Sequence, residues 1–234
     1  GVHAYISEFG LNTVSVITIN DGTLIKRIPV EPFPAGIAIS GNRQLIFVTH
    51  FFTGNVTAIQ MRTLTTLETV STGLGTNLSQ FIAISTDGKR AYLPQTRSNT
   101  KNTSRLFDTT VFPVVNVLDL SKLQLLVRKR ITLDTADEPV NMPFSAVISP
   151  DDQSIYVANA GSNDVSVVDL NTNQGLGHIP VGANPRGIAI DPDGALIFVN
   201  NVLDGTLSVI NAKTLTVSNT ILLTKIPLPP NILL

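Results

Sequence analysis

The sequence predicts an all-β fold made of repeated four-stranded antiparallel sheets, and three observations predict it. Charged residues are only 14% of the 234 residues, compared with about 25% in typical domains. One aromatic position recurs along the chain at a nearly constant spacing. Each recurrence lies within a set of four short apolar runs that Gly, Asp and Asn separate, which is typical of antiparallel meanders.

Two columns of residues define the repeat. The aromatic column has intervals of 42, 45, 64 and 42 residues, at Tyr5, Phe47, Tyr92, Tyr156 and Phe198. The other column lies in the third run, at Val14, Val56, Val115, Val165 and Leu207. The long interval predicts an insertion over about 96–112. Four strands at a period near 42 residues match a β-propeller blade, about 40–45 residues in the WD40 case.

We therefore predict about five propeller blades over residues 1–225, of which the first lacks its opening strand. A β-helix is the structural alternative, although its rungs are shorter. The opening strands carry small residues between isoleucines, at Ala38, Ala83 and Ala189. The isoleucines around them should pack between neighbouring sheets, which bury one another's apolar faces; they are Ile37, Ile39, Ile82, Ile84, Ile188 and Ile190.

Turn residues support this division of the repeat. Asp87-Gly88 and Asp193-Gly194 separate the first two runs of their repeats and predict hairpin turns. Gly73-Leu74-Gly75 has no helix after it, so we predict a turn between blades and not a nucleotide-binding loop.

The tetrads at these aromatic positions resemble those of the YVTN family of β-propeller repeats. They are Phe47–His50, Tyr156–Asn159 and Phe198–Asn201, and Asn163–Asp169 resembles the strand that follows in that family. YVTN propellers usually have seven blades, so the resemblance implies that five blades are part of a longer polypeptide. The alternative is a closed five-bladed ring in which Asn231–Leu234 supplies the missing strand.

The proline-rich segment 226–234 is typical of an extended linker or forms that closing strand. It is similar to the junction that precedes a di-haem cytochrome c peroxidase-like domain in some YVTN proteins. That resemblance implies haem in a downstream domain and no cofactor in this segment. The chain has no cysteine, which excludes disulfides, thiolate metal sites and covalent c-type haem attachment within it.

The composition also limits the function classes. A net charge of −1 gives no electrostatic case for nucleic-acid binding, and no apolar run approaches the roughly 20 residues of a membrane span. The nucleophile pattern G-x-S-x-G is absent, so we expect no catalytic site in this segment. N-x-S/T sequons for N-glycosylation occur at Asn55, Asn77 and Asn102.

Six residues are candidates for binding, and each has a structural alternative. His50 and Asn159 are the last residues of their tetrads. A polar side chain at this position could bind a ligand, or it could only make a hydrogen bond at the strand end. Long loops often carry binding sites, but the insertion could also be only a solvated excursion. The candidates are His50, Arg97, Lys101, Arg105, Asn159 and Arg186.

Two further features suggest sites less strongly. The acidic turns Asp151-Asp152 and Asp191–Asp193 could offer oxygens to calcium, but such residues also form ordinary hairpin turns. His178 falls in the last strand of its repeat, and we expect it to face solvent.

The leading functional hypothesis is a non-catalytic binding or scaffold propeller, exported to the periplasm or cell surface, whose partner is a protein or further blades of the same polypeptide. The first alternative is an accessory domain of a di-haem redox protein that assists electron transfer. The second is a surface-layer or adhesion repeat domain.

Overall fold

The computed structural model describes residues 1–99, 110–135 and 139–223. The contacts divide the chain into two compact units, Gly1–Ile131 and Thr132–Leu234, and each is described by itself. The fold is all-β and consists of antiparallel blades, as predicted. The predicted closing strand Asn231–Leu234 lies outside the described residues.

The first unit contains three blades. Blade 1 has three strands, in the order β1-β2-β3. They correspond to the second, third and last strands of the other blades and are called so below. Blade 2 has four strands, in the order β4-β5-β6-β7. Blade 3 is built on a long hairpin of β10 and β11, and the short strands β8, β9, β12 and β13 complete it. The bounds are β1 His3–Glu8, β2 Thr13–Thr18, β3 Leu24–Pro29, β4 Pro34–Ser40, β5 Leu45–His50, β6 Val56–Gln60, β7 Thr65–Val70, β8 Thr76–Asn77, β9 Ala83–Ile84, β10 Arg90–Ser98, β11 Val111–Asp119, β12 Gln124–Leu125 and β13 Ile131–Thr132.

The second unit contains two complete blades. Blade 4 has the order β14-β15-β16-β17 and blade 5 the order β18-β19-β20-β21. The bounds are β14 Pro143–Ile148, β15 Ser154–Asn159, β16 Asp164–Asp169, β17 Gln174–Pro180, β18 Pro185–Ile190, β19 Leu196–Asn201, β20 Thr206–Asn211 and β21 Thr216–Leu222. Single 3₁₀ turns occupy Gly41–Arg43, Val127–Lys129 and Leu133–Thr135.

The strand registers confirm the repeat. Each aromatic of the first column lies directly opposite a small or β-branched residue of the next strand, in the pairs Tyr5–Val16, Phe47–Ala58, Tyr92–Val117, Tyr156–Val167 and Phe198–Val209. The hairpin of blade 3 extends into the predicted insertion, because Ser98 still pairs with Val111. Residues 100–109 of that insertion lie outside the described residues.

Blade 2 buries side chains on both faces of its sheet. Along β5, Ile46 and Val48 pack against blade 1, while Leu45 and Phe47 join a core with blade 3. This follows from the alternation of side chains along a strand. Blades 4 and 5 share a third core that includes Val165, Ile197 and Ile210. Full burial of each such side chain contributes roughly 1.5–3 kcal/mol.

The opening strands behave largely as predicted. Ile82 is buried, and Ile37, Ile84, Ile188 and Ile190 pack against the blade cores. Ile39 is an exception and is half exposed, because it lines an open crevice between blades 2 and 3 with Asn42 and Ile84.

A left-handed residue marks the turn between the second and third strands of four blades. The φ angles are 56° at Asn12, 70° at Gly54, 64° at Asn163 and 61° at Gly205. Asn and Gly tolerate this conformation better than other residues. The side chain that precedes this turn bonds to the third strand of the same blade, and the candidate residues His50 and Asn159 lie there.

Candidate functional site

In every blade a polar side chain lies three residues after the column aromatic and bonds to the next strand of its own blade. It ends its strand in four blades, whereas in blade 3 the strand β10 continues past Gln95 to Ser98. In all five blades it bonds to a hydroxyl or amide side chain on the third strand. That residue in turn lies beside a polar residue of the last strand or of the segment in its place, which completes a set of three. We call these sets the strand-end ladders. They are Glu8–Ser15–Arg27, His50–Thr57–Thr69, Gln95–Asn116–Arg130, Asn159–Ser166–His178 and Asn201–Ser208–Thr220.

His50 is completely buried within the ladder of blade 2. Its Nε2 lies 2.7 Å from the Thr57 hydroxyl and its Nδ1 lies 3.2 Å from the Pro32 carbonyl oxygen. Burial lowers the pKa of His50, although the nearby Glu31 carboxylate opposes this shift. The imidazole is therefore neutral at pH 7, and both its nitrogens already have partners.

Asn159 and Asn201 occupy the same position in blades 4 and 5 and are fully buried. Asn159 Nδ2 donates to Asp164 Oδ1 at 2.5 Å and to Ser166 Oγ at 2.7 Å. Asn201 Nδ2 donates to the hydroxyls of Thr206 and Ser208 at 3.0 and 2.8 Å. In both residues Oδ1 has no hydrogen-bond partner within the described part of the chain.

Blade 3 has the ladder with the highest positive charge. Gln95 donates to the Gly54 carbonyl and the Ser79 hydroxyl, both at 2.7 Å, and accepts from Asn116 at 2.6 Å. Arg130 Nε donates to Asn116 Oδ1 at 2.6 Å. Burial lowers the pKa of Arg130, and the charge of Arg97 lowers it further. Arg97 pairs with Thr76, four residues after Thr72, whose carbonyl accepts from Arg130, so both arginines lie beside the segment 72–76.

The other predicted residues lie apart from one another. Arg186 is exposed, and its Nε donates to Asn184 Oδ1 at 2.7 Å while its guanidinium lies 5.0 Å from the centre of the Phe144 ring. Lys101 and Arg105, and the sequon residue Asn102, lie outside the described residues. Of the other sequons, Asn55 donates to both Glu31 carboxylate oxygens at 3.0 Å, and Asn77 donates to Ser98 Oγ at 3.4 Å.

The acidic turns use their carboxylates locally. Asp151 accepts from the Ser149 hydroxyl at 2.5 Å and from the Gln153 amide at 3.0 Å, and the Ser149 bond is the main reason why its pKa is lowered. Over residues 1–99, 110–135 and 139–223, no three His, Cys, Asp or Glu side chains cluster as metal ligands.

The expectation that His178 faces solvent was wrong. His178 is partly buried, and its Nε2 lies 3.1 Å from the Leu133 carbonyl oxygen. The segment that follows blade 3 covers this strand, and a repeat pattern contains no information about such a segment.

Four phenylalanines form a cluster on the first unit that sequence reasoning missed. Ring centroids are 5.2 Å apart for Phe9–Phe33, 5.9 Å for Phe9–Phe51, 4.8 Å for Phe33–Phe52 and 4.9 Å for Phe51–Phe52. Phe9, Phe33 and Phe52 expose 44%, 39% and 57% of their surface. Phe9 and Phe51 each follow the last residue of a second strand, so a comparison of that position across the repeats could have found the cluster.

Comparisons with known proteins agree with this architecture. Residues 113–229, half of the chain, match the family model described as lactonase, 7-bladed β-propeller. A 6-phosphogluconolactonase of Formosa agariphila is 39% identical over 61 residues, which are 23% of this chain and 17% of that protein. A PE-PGRS family protein of Mycobacterium tuberculosis is 44% identical over 52 residues, 22% of this chain and 11% of that protein. The matches thus span less than a fifth of either relative.

Among solved structures, a hydrazine synthase chain of Kuenenia stuttgartiensis superposes with a TM-score of 0.59 at 14% identity, covering 90% of this chain and 80% of that one. At this identity the similarity concerns the fold alone.

None of the helices in the described residues is long and apolar enough to cross a membrane. Together with the blade architecture, the family match shows that the chain belongs to the lactonase family of seven-bladed β-propellers.

Proposed function

We propose that this chain is the binding part of an exported propeller protein and that it holds a protein partner through the four-phenylalanine cluster. The exposed contact between Phe9, Phe33, Phe51 and Phe52 carries the proposal. Single exposed apolar residues are normal on a protein surface, whereas contiguous patches mark interaction sites. Aromatic side chains also dominate the energetic centres of protein interfaces.

The position of the cluster supports this role. Phe9, Phe51 and Phe52 lie in the turns that follow the second strands of blades 1 and 2, and Phe33 lies just before the first strand of blade 2. Leu11, in the same turn as Phe9, is also exposed. Loops held by a rigid scaffold commonly carry binding residues. The blades provide that scaffold, because their apolar cores are buried.

The chemistry of the strand ends favours binding over catalysis. The buried His50 and Gln95 already bond within the protein, so neither is free to act on a substrate. The site proposed here therefore needs no catalytic group, only an apolar surface that a partner covers.

A photo-crosslinking amino acid tests the proposal in the intact chain. Placed at Phe52, it should capture one partner in producing cells. Placed at Leu67, an equally exposed residue of β7, it should capture none. The captured protein is then purified, and its affinity is measured for the unmodified chain and for Phe52→Ser. We expect Phe52→Ser to weaken binding by about thirty-fold or more, and Leu67→Ser to leave it unchanged. Equal capture at both sites, or full affinity in Phe52→Ser, would contradict the proposal.

Lactone hydrolysis is the second candidate, and the family match together with the 6-phosphogluconolactonase relative favours it. The test is the rate of 6-phosphogluconolactone ring opening with and without the purified chain. Acceleration that scales with protein concentration would establish hydrolysis, whereas the spontaneous rate would leave the binding role as the better explanation.

Export to the periplasm or cell surface, the YVTN assignment, the di-haem accessory role and the adhesion role stay predictions from the sequence. Fractionation of producing cells tests export. The gene sequence beyond the codon for Leu234 tests the redox role, because a di-haem domain requires two CxxCH motifs. Further tandem domains upstream would instead support the adhesion role.

A further inference from the structure

We propose that blade 3 carries an anion-binding site, formed by the guanidinium groups of Arg97 and Arg130, that takes a phosphate group. Neither arginine belongs to the phenylalanine cluster, although Phe52 lines the neighbouring crevice, and the proposal does not depend on the function proposed above.

Arg130 is held in place before any ligand arrives. Its Nε donates to Asn116 Oδ1 at 2.6 Å, and its Nη2 donates to the Thr72 carbonyl at 3.2 Å. Asn116 is completely buried, and its own amide group donates to Gln95. Three of the five guanidinium N–H groups have no acceptor within the described residues. A ligand that bonds to them would pay little entropy for ordering this side chain.

Arg97 adds a second positive charge on the same side of the sheet. It lies two residues after Gln95 on β10, so the two side chains point to the same face. Arg97 is exposed. The ion pairs recorded in the described part of the chain are Arg27–Glu8 and Lys89–Asp87, so no described carboxylate neutralises either arginine.

Blade 1 shows how the same ladder appears when it is neutral. There Glu8 occupies the position of Gln95, and Arg27 occupies that of Arg130, with Arg27 Nε 3.3 Å from Glu8 Oε2. In blade 3 the carboxylate is replaced by an amide, and a second arginine lies nearby. The result is a charged ladder that lacks the counter-charge present in blade 1.

The surroundings leave space for an anion. The Gly73–Gly75 turn passes beside Arg130, whose Nη2 lies 3.6 Å from where a side chain on Gly73 would begin. Thr76, at the end of this turn, pairs with Arg97. The turn also lines an open crevice of about 340 Å³ together with Phe52, Ser71 and Asn77. The arginines are not among its lining residues, and the turn is what connects the crevice to them. The crevice gives room for the rest of a small molecule that carries the phosphate.

The chemistry favours a phosphate over other anions. Guanidinium groups bond phosphate oxygens through two parallel N–H donors, and two guanidiniums match the double charge of a phosphate. A nucleic acid is a poorer match, because the net charge of −1 gives the chain no overall electrostatic attraction to a polyanion.

The test is isothermal titration of the full chain with inorganic phosphate and, separately, with glycerol phosphate, at pH 7.5 and constant ionic strength set with chloride. We expect saturable binding of one phosphate per chain. Arg97→Glu and Arg130→Gln should each weaken binding at least tenfold, while Arg27→Gln, the matched variant in blade 1, should bind as the unmodified chain does. Tighter binding of glycerol phosphate would show that the crevice contributes, and equal binding would show that the phosphate group alone is recognised.

The proposal is overturned if neither compound binds saturably, if Arg97→Glu keeps full affinity, or if Arg27→Gln weakens binding as much as Arg130→Gln. Arg97 is exposed, so Arg97→Glu should fold even if Arg130→Gln does not. Gln95→Glu is a further check, because it places in blade 3 the carboxylate that blade 1 has and should also weaken phosphate binding.

Discussion

Replacing Asn159 and Asn201 by alanine, one at a time, measures what the strand-end ladders contribute to stability. The two residues occupy the same repeat position in the second unit, and both are fully buried. They differ in one partner, since Asn159 bonds a carboxylate, Asp164, where Asn201 bonds the hydroxyl of Thr206. The pair therefore compares a charged acceptor with a neutral one in the same setting.

The difference in the free energy of unfolding follows from that partner. A hydrogen bond to a charged group contributes about 1.5–3 kcal/mol and a neutral one about 0.5–1.5 kcal/mol. Each variant also removes one buried Oδ1 without a described partner, so this gain cancels in the comparison. We expect both variants to be destabilised, and Asn159→Ala to be less stable than Asn201→Ala by about 1 kcal/mol.

The assay is urea unfolding at 25 °C, followed by far-ultraviolet circular dichroism. The midpoints should shift at an unchanged slope. Asn219→Ala, at an exposed position of β21, is the control and should change stability by less than about 0.5 kcal/mol. Equal losses for Asn159→Ala and Asn201→Ala, or losses no larger than that of Asn219→Ala, would refute the reasoning.

Three further predictions test other parts of the fold. Burial lowers the pKa of His50, so the free energy of unfolding should decline as the pH falls below about 6.5. His50→Gln introduces the residue that blade 3 has at this position. It should make the urea midpoint less dependent on pH between pH 8 and pH 5. Gly194 has a φ of 73° and Pro150 lies 3.0 Å from where its side chain would begin, so Gly194→Ala should lower the free energy of unfolding by about 1–2 kcal/mol in the same assay. The Arg27–Glu8 ion pair is partly exposed, so Arg27→Gln should cost less than about 1 kcal/mol, and added salt should reduce this cost.

The repeat could be predicted from the sequence because spacing alone fixes which strands pair. The columns through Tyr5 and Val14 placed the second and third strands of all five blades, and the register confirms the aromatic column residue by residue. Turn residues such as Gly88 and Gly194 were also informative, because both adopt the left-handed conformation that hairpin turns need.

The arrangement of Arg97 with Arg130 could not be predicted in the same way. Arg97 was a candidate because it enters the insertion, but Arg130 follows a short strand and a 3₁₀ turn, where the repeat pattern is interrupted. Periodicity predicts only residues that keep the period. Two arginines from an extended hairpin and an interrupted last strand therefore become neighbours without a signal in the spacing.

The strand-end ladders explain why a polar residue recurs in the tetrads without forming one shared site. Each ladder runs along its own sheet, and in blade 3 Gln95 also donates to the Gly54 carbonyl of blade 2. His50, Asn159 and Asn201 are different solutions to the same local problem, which is to bond a buried strand end. Blade 3 has an amide where blade 1 has the carboxylate of Glu8, and it keeps an arginine, since the buried amide of Asn116 orients Arg130. A repeat built on such ladders can thus carry a second arginine in one blade while the other blades keep their own strand-end hydrogen bonds.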